Sequence, residues 1–323
     1  MAKSIVSTFK FRACQSGNGH ELYYCPGTSK GFLTNRFREI YRCYPADVKK
    51  YRSRSKKSDG FIAVGDDPAE ISNKEYDLIK TKLLYLIYTD RNENEIVELM
   101  NKSRLCRQLW IRNDFPTANR ILKEFPRFMD TPLLLNDEFQ SINRSYVENI
   151  PVLLETKISK QIIAYCRLPG KCIDIIGDID TEGNSNTDAL VLKSLKALVY
   201  LLPTMGKYRV SAGAAMLFLI EELKDGETLE MFLNRSNPKQ QPFILSCGSS
   251  FFVVCNGKAI IVKPSKVSVA FDCLFKSVFF VFNLEYPKQL QILYNFFQKL
   301  VYKLPGSVAS TKARKLFEEI SDM

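Results

Sequence analysis

The chain has 323 residues, of which 46% are apolar and 25% are charged, so it can bury a sizeable core and is not disordered throughout. Its net charge is +11, and its apolar runs are too short to cross a membrane. The opening segment MAKSIVSTFKFRAC has no apolar stretch of signal-peptide length, so we predict a nuclear or cytoplasmic protein that is not secreted and has no membrane partner.

The positive charge is concentrated in residues 1–60, which form a basic N-terminal segment. They carry 13 Lys and Arg against four acidic residues, whereas the other 263 residues carry 33 basic and 31 acidic side chains. Six cations fall within nine residues, namely Lys49, Lys50, Arg52, Arg54, Lys56 and Lys57. Such a run is typical of a nuclear-import signal or of an arm that contacts nucleic-acid phosphates. A solvated linker is the alternative interpretation.

The same segment holds one possible metal site, formed by Cys14, His20, Cys25 and Cys43. Four nitrogen and sulfur ligands suffice for a structural zinc ion, but spacings of six, five and eighteen residues fit no standard zinc finger. The nine cysteines include no C-x-x-C pair, and their odd number gives no reason to expect a disulfide framework. We therefore expect no cofactor, with zinc at these four residues as the alternative to free thiols.

Residues 61–170 predict a helical subdomain, because apolar side chains recur at helical spacing between breaks rich in Asn, Asp and Pro. Thr131-Pro132 marks one helix start, since proline tolerates the first helical position. Helices are predicted over residues 74–88, 95–112, 121–125, 133–139 and 149–166.

The segment CIDIIGDIDTEGNSNTDAL, residues 172–190, is rich in carboxylates. It begins like a calcium-binding EF-hand loop at Asp178, but Ala189 stands where the bidentate acid is needed. A solvated loop capped into the following helix by Asn186 or Thr187 is the simpler interpretation. A two-metal nuclease would instead need carboxylates from separate elements, for which Asp178, Asp272 and Glu285 are candidates.

Residues 187–305 predict an α+β domain, followed by a tail helix within 306–323. Helices are predicted over 188–202, 211–224, 228–233, 267–283 and 287–304, and β-rich segments over 242–247, 251–255 and 258–262. Asn256-Gly257 predicts a hairpin, because a type I′ turn needs two residues with positive φ. The predicted fold class is therefore α+β and mostly helical, with a small antiparallel sheet of about three strands packed by the C-terminal helices.

Catalytic motifs are missing from the sequence. His20 is the single histidine. Any Ser-His-Asp, Cys-His or two-histidine metal site would therefore have to use His20. The sequence contains neither a Walker-type phosphate loop nor a G-x-S-x-G elbow. We therefore expect no enzymatic activity of the hydrolase, nucleoside-triphosphatase or nicotinamide-dependent kind.

Several apolar stretches carry a resemblance to a known family. They are RQLWIRNDFPTANRILKEFPRFMD, ALVLKSLKALVYLLP, QPFIL, FFVVCNGKAIIV, AFDCLFK, VFNLEYP and LYNFFQKLVYKL. Over roughly residues 75–305 the chain resembles an uncharacterised metazoan transposon-associated family, similar to sterile-alpha-motif-domain-containing proteins and abundant in fish and invertebrates. The resemblance implies no known active site. Relatives often carry an N-terminal zinc finger or sterile-alpha-motif domain, and residues before 60 match neither.

Charge and resemblance together predict a non-enzymatic, transposon-associated protein of the nucleus. Its basic segment would contact nucleic acid or direct import, and its C-terminal domain would bind a protein partner. Two alternatives stay open: a protein–protein adaptor that does not bind nucleic acid, and a transposase-like metal-dependent nuclease.

Overall fold

A computed structural model describes residues 71–131, 133–143, 148–170, 186–234, 241–304 and 308–323. All of them belong to one compact unit, Lys57–Met323. The basic run at 49–57, the four proposed zinc ligands and Asp178 lie outside the described residues.

The part of this unit before residue 171 is built of short helices joined by tight turns. They are α1 (Asn73–Tyr85), α2 (Glu93–Lys102), α3 (Arg104–Asp114), α4 (Ala118–Glu124), α5 (Arg127–Asp130), α6 (Leu134–Ile142), α7 (Ile150–Leu153) and α8 (Ser159–Arg167). The π-helical segment Leu154–Ile158 joins α7 to α8.

The part after residue 185 combines further helices with one sheet. The helices are α9 (Thr187–Leu201), α10 (Ala212–Met216), α11 (Leu229–Leu233), α12 (Val267–Cys273), α13 (Gln291–Phe296) and α14 (Thr311–Ser321). The strands are β1 (Ile220–Glu222), β2 (Phe243–Cys247), β3 (Ser250–Cys255) and β4 (Lys258–Ile261). Single 3₁₀ turns lie at Gly206–Tyr208 and Lys288–Leu290, and π-helical segments lie at Leu274–Val281 and Phe297–Val301.

The sheet has the order β1-β2-β3-β4. Strands β2, β3 and β4 are antiparallel neighbours, with Ile244 opposite Val253 and Val253 opposite Ile260. Asn256 and Gly257 join β3 to β4 with φ angles of 49° and 75°, as the hairpin prediction requires. The predicted α+β, mostly helical class with a small sheet is confirmed.

The added strand β1 is the main departure from the predicted elements. Residues 211–224 were expected to be one helix, but the helix there ends at Met216 and Ile220–Glu222 pairs in parallel with β2. Ile220 is buried opposite Ile244. The sheet is therefore mixed rather than antiparallel, because pairing with a buried strand outweighed the local helix preference of this segment.

Polar side chains fix where many helices begin. Asn186 caps α9 by accepting a hydrogen bond from the Asp188 N–H at 3.0 Å, which confirms the first of the two caps considered. Hydroxyl or amide side chains of Ser72, Thr117, Asn149, Ser211, Thr228 and Ser310 cap other helices in the same way.

One predicted helix, 95–112, is divided in two at Ser103. The Ser103 hydroxyl donates to the Leu99 carbonyl at 2.9 Å and so occupies a backbone acceptor. A serine that binds backbone in this way favours a helix end over a helix interior. Ser103 is itself fully buried and accepts a hydrogen bond from the Arg107 guanidinium at 2.9 Å.

Buried apolar side chains form one main cluster that extends from Ile79 to Ile320. It contains residues of both predicted ranges, 61–170 and 187–305, so the two ranges share a core. Aromatic rings fill its centre: the Phe275 and Tyr302 centroids lie 4.0 Å apart and those of Tyr286 and Tyr294 lie 4.9 Å apart. A smaller cluster lies on the other side of the sheet, around Phe243 and Leu245.

Candidate functional site

A cleft of about 510 Å³ lies where α6, the start of α7, the end of β4 and α12 meet. Its walls combine apolar side chains with charged ones. The charged and amide side chains that line it are Asn136, Gln140, Glu148, Asn149, Glu155, Lys263, Lys266, Asp272 and Lys276.

A buried ion pair closes the inner end of the cleft. The Lys276 ammonium lies 2.8 Å from the Asp272 carboxylate, one turn away on the same helical stretch. It also donates to the Asn136 side-chain carbonyl at 2.9 Å, and the Tyr302 hydroxyl donates to Asp272 at 2.8 Å. The side chains of Lys276 and Asp272 are only 6% and 11% exposed, so both charges depend on these partners rather than on water.

Burial dominates the protonation of this inner end. It raises the pKa of the Asp272 carboxyl even though Lys276 and Tyr302 act in the opposite direction. Burial, with the Asp272 charge added, also raises the pKa of the neighbouring Cys273 thiol to about 12. A thiol with so high a pKa stays protonated at neutral pH and is a poor nucleophile, although Cys273 lines the cleft.

The outer end of the cleft is held by exposed and half-buried pairs. The Glu155 carboxylate accepts hydrogen bonds from the Ser268 hydroxyl at 2.5 Å and from the Lys266 ammonium at 3.1 Å. Burial alone would raise the pKa of Glu155, but these two donors outweigh it and lower that pKa. Lys303 pairs with Glu148 at 2.9 Å nearby. Every carboxylate that lines the cleft is thus already paired with a lysine.

A second buried charge network lies on the opposite side of α6. Arg107, which has no exposed surface, donates to the Glu138 carboxylate at 2.7 Å and to the Met100 carbonyl at 3.1 Å. Its guanidinium carbon lies 5.2 Å and 5.3 Å from the ring centroids of Phe125 and Phe128. Helix α6 therefore carries a partner for each network, Glu138 for Arg107 and Asn136 for Lys276.

The two candidate nuclease carboxylates that the structure describes lie in different surroundings. Asp272 is buried, pairs with Lys276 and accepts a hydrogen bond from Tyr302. Glu285, which follows the π-helical segment Leu274–Val281, is exposed. Within the described part of the chain, no three His, Cys, Asp or Glu side chains gather closely enough to hold a metal ion. Because Asp178 is outside that part, the three-carboxylate site stays a prediction.

Most of the cleft was not predicted from the sequence. Asp272 and Lys276 stand four residues apart, the spacing at which helical side chains meet, so this pair was detectable. Glu155 and Lys266 are separated by 111 residues, and Arg107 and Glu138 by 31, so no local pattern announces either contact.

One cysteine departs from the expected free thiols. Cys166, buried near the end of α8, is disulfide-bonded. Cys106, Cys247, Cys255 and Cys273 are free, as expected. The odd count and missing C-x-x-C motif gave no signal of a bridge that depends on proximity in space. None of the helices in the described ranges combines the length and apolar composition that crossing a bilayer requires.

Comparison with known proteins adds no relative to this description. The chain matches no family model, no curated protein and no solved structure.

Proposed function

We propose that the chain is a non-enzymatic, transposon-associated protein of the nucleus that contacts nucleic acid through its basic segment. The single observation that carries this proposal is the charge distribution. Residues 1–60 have a net charge of +9 and residues 61–323 a net charge of +2. Residues 61–323, which are nearly neutral, do not need the positive charge of residues 1–60 in order to fold. The phosphate backbone of a nucleic acid attracts that positive charge directly.

The proposed contact has a measurable signature, because each neutralised phosphate releases condensed counterions. If all six cations of the run 49–57 contact phosphates, a plot of the logarithm of the duplex binding constant against the logarithm of the salt concentration should have a slope of about −5. The contact would carry no sequence preference, since phosphates are the same along every duplex.

The test compares two variants of the full chain with equal net charge. One replaces Lys49, Lys50, Arg52, Arg54, Lys56 and Lys57 by Gln; the control replaces the exposed lysines Lys74, Lys123, Lys157, Lys160, Lys224 and Lys312 by Gln. Binding to a fluorescent 20-base-pair duplex is followed by anisotropy between 50 and 200 mM salt. We expect the first variant to lose binding and its salt slope, and the control to keep most of both.

Equal losses in the two variants would show that total charge, not the basic run, is responsible and would reject the proposal. Undiminished binding by the first variant would reject it as well. Nuclear accumulation of a fluorescent fusion, measured for the same pair, tests the import role separately. Cys166 is disulfide-bonded, whereas the thiols of nuclear proteins are kept reduced. Each assay is therefore run with and without reductant.

The proposed protein partner of the C-terminal domain is supported by an exposed apolar side chain on strand β4. This strand ends the described sheet, and Ile261 on it is 43% exposed beside the cleft. An exposed apolar side chain beside a cleft offers an apolar contact to a bound partner. An Ile261→Lys variant should therefore lose partner crosslinks that form through Lys258 and Lys263, while crosslinks through Lys224 persist.

A further inference from the structure

Two lysines meet at one tyrosine on the surface, far along the chain from the basic segment. The Lys207 ammonium lies 5.0 Å from the centroid of the Tyr208 ring, and the Lys288 ammonium lies 5.1 Å from it. Lys207 and Tyr208 belong to the 3₁₀ turn after α9, and Lys288 begins the 3₁₀ turn before α13. Two lysines 81 positions apart thus converge on one phenol ring.

The convergence is held in place by the fold beneath it. The Thr204 hydroxyl donates to the Gln289 carbonyl at 2.7 Å and so ties the two turns together. Leu202 and Leu290, one beside each turn, are 2% and 1% exposed and belong to the main core cluster. The lysines are therefore brought together by buried neighbours, not by chance contact of two flexible side chains.

No carboxylate neutralises these two lysines among the described residues. Neither Lys207 nor Lys288 has an ion pair there, and Glu285, three residues before Lys288, has none either. Hydrogen bonds from Lys207 and then from Lys288 lower the pKa of the Tyr208 hydroxyl. A phenol offers a dipole and not a full charge, so two positive charges share a site whose natural occupant is an anion.

Exposed neighbours make the site accessible. Lys207, Arg209 and Lys288 are all exposed, and Tyr208 is half-buried. Met205, which precedes the turn, is 68% exposed. The surface therefore presents three cations and a hydroxyl donor beside apolar atoms, a combination that suits a phosphate attached to an organic chain.

We propose that Lys207, Tyr208 and Lys288 form a phosphate-binding site on the folded body that takes a phosphodiester of a single nucleic-acid strand. This inference rests on the proposed nucleic-acid function and adds a second contact to it, separate from the basic run. The two ammonium groups bind the phosphate oxygens, the phenol donates its hydrogen to one of them, and Arg209 lies beside the path of the strand.

The experiment measures binding of the full chain to a fluorescent 20-nucleotide oligothymidine. Lys207→Gln/Lys288→Gln is compared with the control Lys224→Gln/Lys312→Gln, which removes the same charge from exposed lysines elsewhere. We expect the first pair to weaken binding roughly tenfold at 50 mM salt and to reduce the salt slope by about 1 to 2, and the control to change neither. Equal effects of the two pairs would overturn the proposal.

A second readout reports on the site itself. In protein labelled with ¹³C at tyrosine, the Tyr208 resonance is assigned by its loss in Tyr208→Phe. Addition of the oligothymidine should shift this resonance more than that of Tyr85, which is 82% exposed. An unmoved Tyr208 resonance at saturating oligonucleotide would overturn the proposal even if the lysine variants bind weakly.

The two proposals fail in different ways. If only the variant of the basic run loses binding, the proposed function is upheld and this site is rejected. If only Lys207→Gln/Lys288→Gln loses binding, this site is upheld and the basic run is rejected as the nucleic-acid contact. Vesicles of phosphatidylserine and phosphatidylcholine distinguish the source of the phosphate. The chain is floated with these vesicles, and flotation is compared between the unmodified chain and Lys207→Gln/Lys288→Gln. If the variant loses flotation but keeps oligothymidine binding, the site binds a lipid phosphate and the nucleic-acid proposal is overturned.

Discussion

Lysines gather at two places in this molecule, and their partners differ. In the cleft, Lys276 is paired with Asp272 and Lys266 with Glu155. At the surface turn, Lys207 and Lys288 share the phenol ring of Tyr208 and have no carboxylate partner among the described residues. The first arrangement satisfies its charges within the fold, while the second leaves them to be satisfied by something that binds.

The energetic consequence of a lost lysine should follow the same division. Removing a buried cation that pairs with a buried carboxylate destabilises the fold, because it leaves an uncompensated buried charge. An exposed cation without a carboxylate partner contributes little to folding. A lysine can thus be assigned to structure or to binding from the partner it has, before any ligand is known.

The largest effect is expected at the inner end of the cleft. Lys276→Met should lower the free energy of unfolding by about 3–5 kcal/mol, because it leaves Asp272 buried without its cation. Urea denaturation measures the loss. The double variant Lys276→Met/Asp272→Leu should recover most of it, since an apolar pair of similar size replaces both charges. A double variant less stable than Lys276→Met would contradict this account.

The Asp272 carboxyl should also make stability depend on pH, with a smaller effect than the loss of Lys276. Because the pKa of Asp272 is raised in the folded state, the folded chain binds this proton more tightly than the unfolded chain. The free energy of unfolding should therefore contain a contribution that is fully present below the ordinary pKa of about 4 and is lost as the pH rises through the folded pKa. Asp272→Asn should remove that contribution. Thermal unfolding between pH 4 and 8 compares the two chains, and identical slopes would contradict the raised pKa.

The smallest effect on stability is expected at the surface turn. Lys207→Gln/Lys288→Gln should leave the melting temperature unchanged at 50 mM salt or raise it slightly, because it relieves repulsion between two like charges and breaks no ion pair. Differential scanning calorimetry on the variants used for binding gives this comparison. A clear fall in melting temperature would mean that these lysines stabilise the fold instead of being available to a ligand.

Local pattern was sufficient for much of the fold. The Asn256-Gly257 hairpin and the Asn186 cap depend on residues next to one another; the hairpin was predicted in place, and Asn186 was one of the two predicted caps. Strand β1 was missed because Ile220–Glu222 forms a strand only where β2 is available to pair with it. Its own residues do not distinguish a strand from a helix.

The candidate sites were harder to predict than the fold, for a related reason. Composition located the basic segment, but the structure does not describe it. The pairing of Glu155 with Lys266 and the meeting of Lys207 with Lys288 join residues that are distant in sequence. A sequence reports which charges exist, whereas contact across a fold decides which of them are neutralised.

The π-helical segments also determine which side chains face inward. An α-helix advances about 100° per residue, and a π turn holds one residue more, so it rotates everything beyond it by about that angle. In the segment Leu274–Val281 this added residue sets the angular phase between the face that carries Asp272 and the face that carries Phe282, both of which are buried. Deleting one residue there would restore a regular spiral and turn the downstream aromatic residues away from the interior, although composition would hardly change.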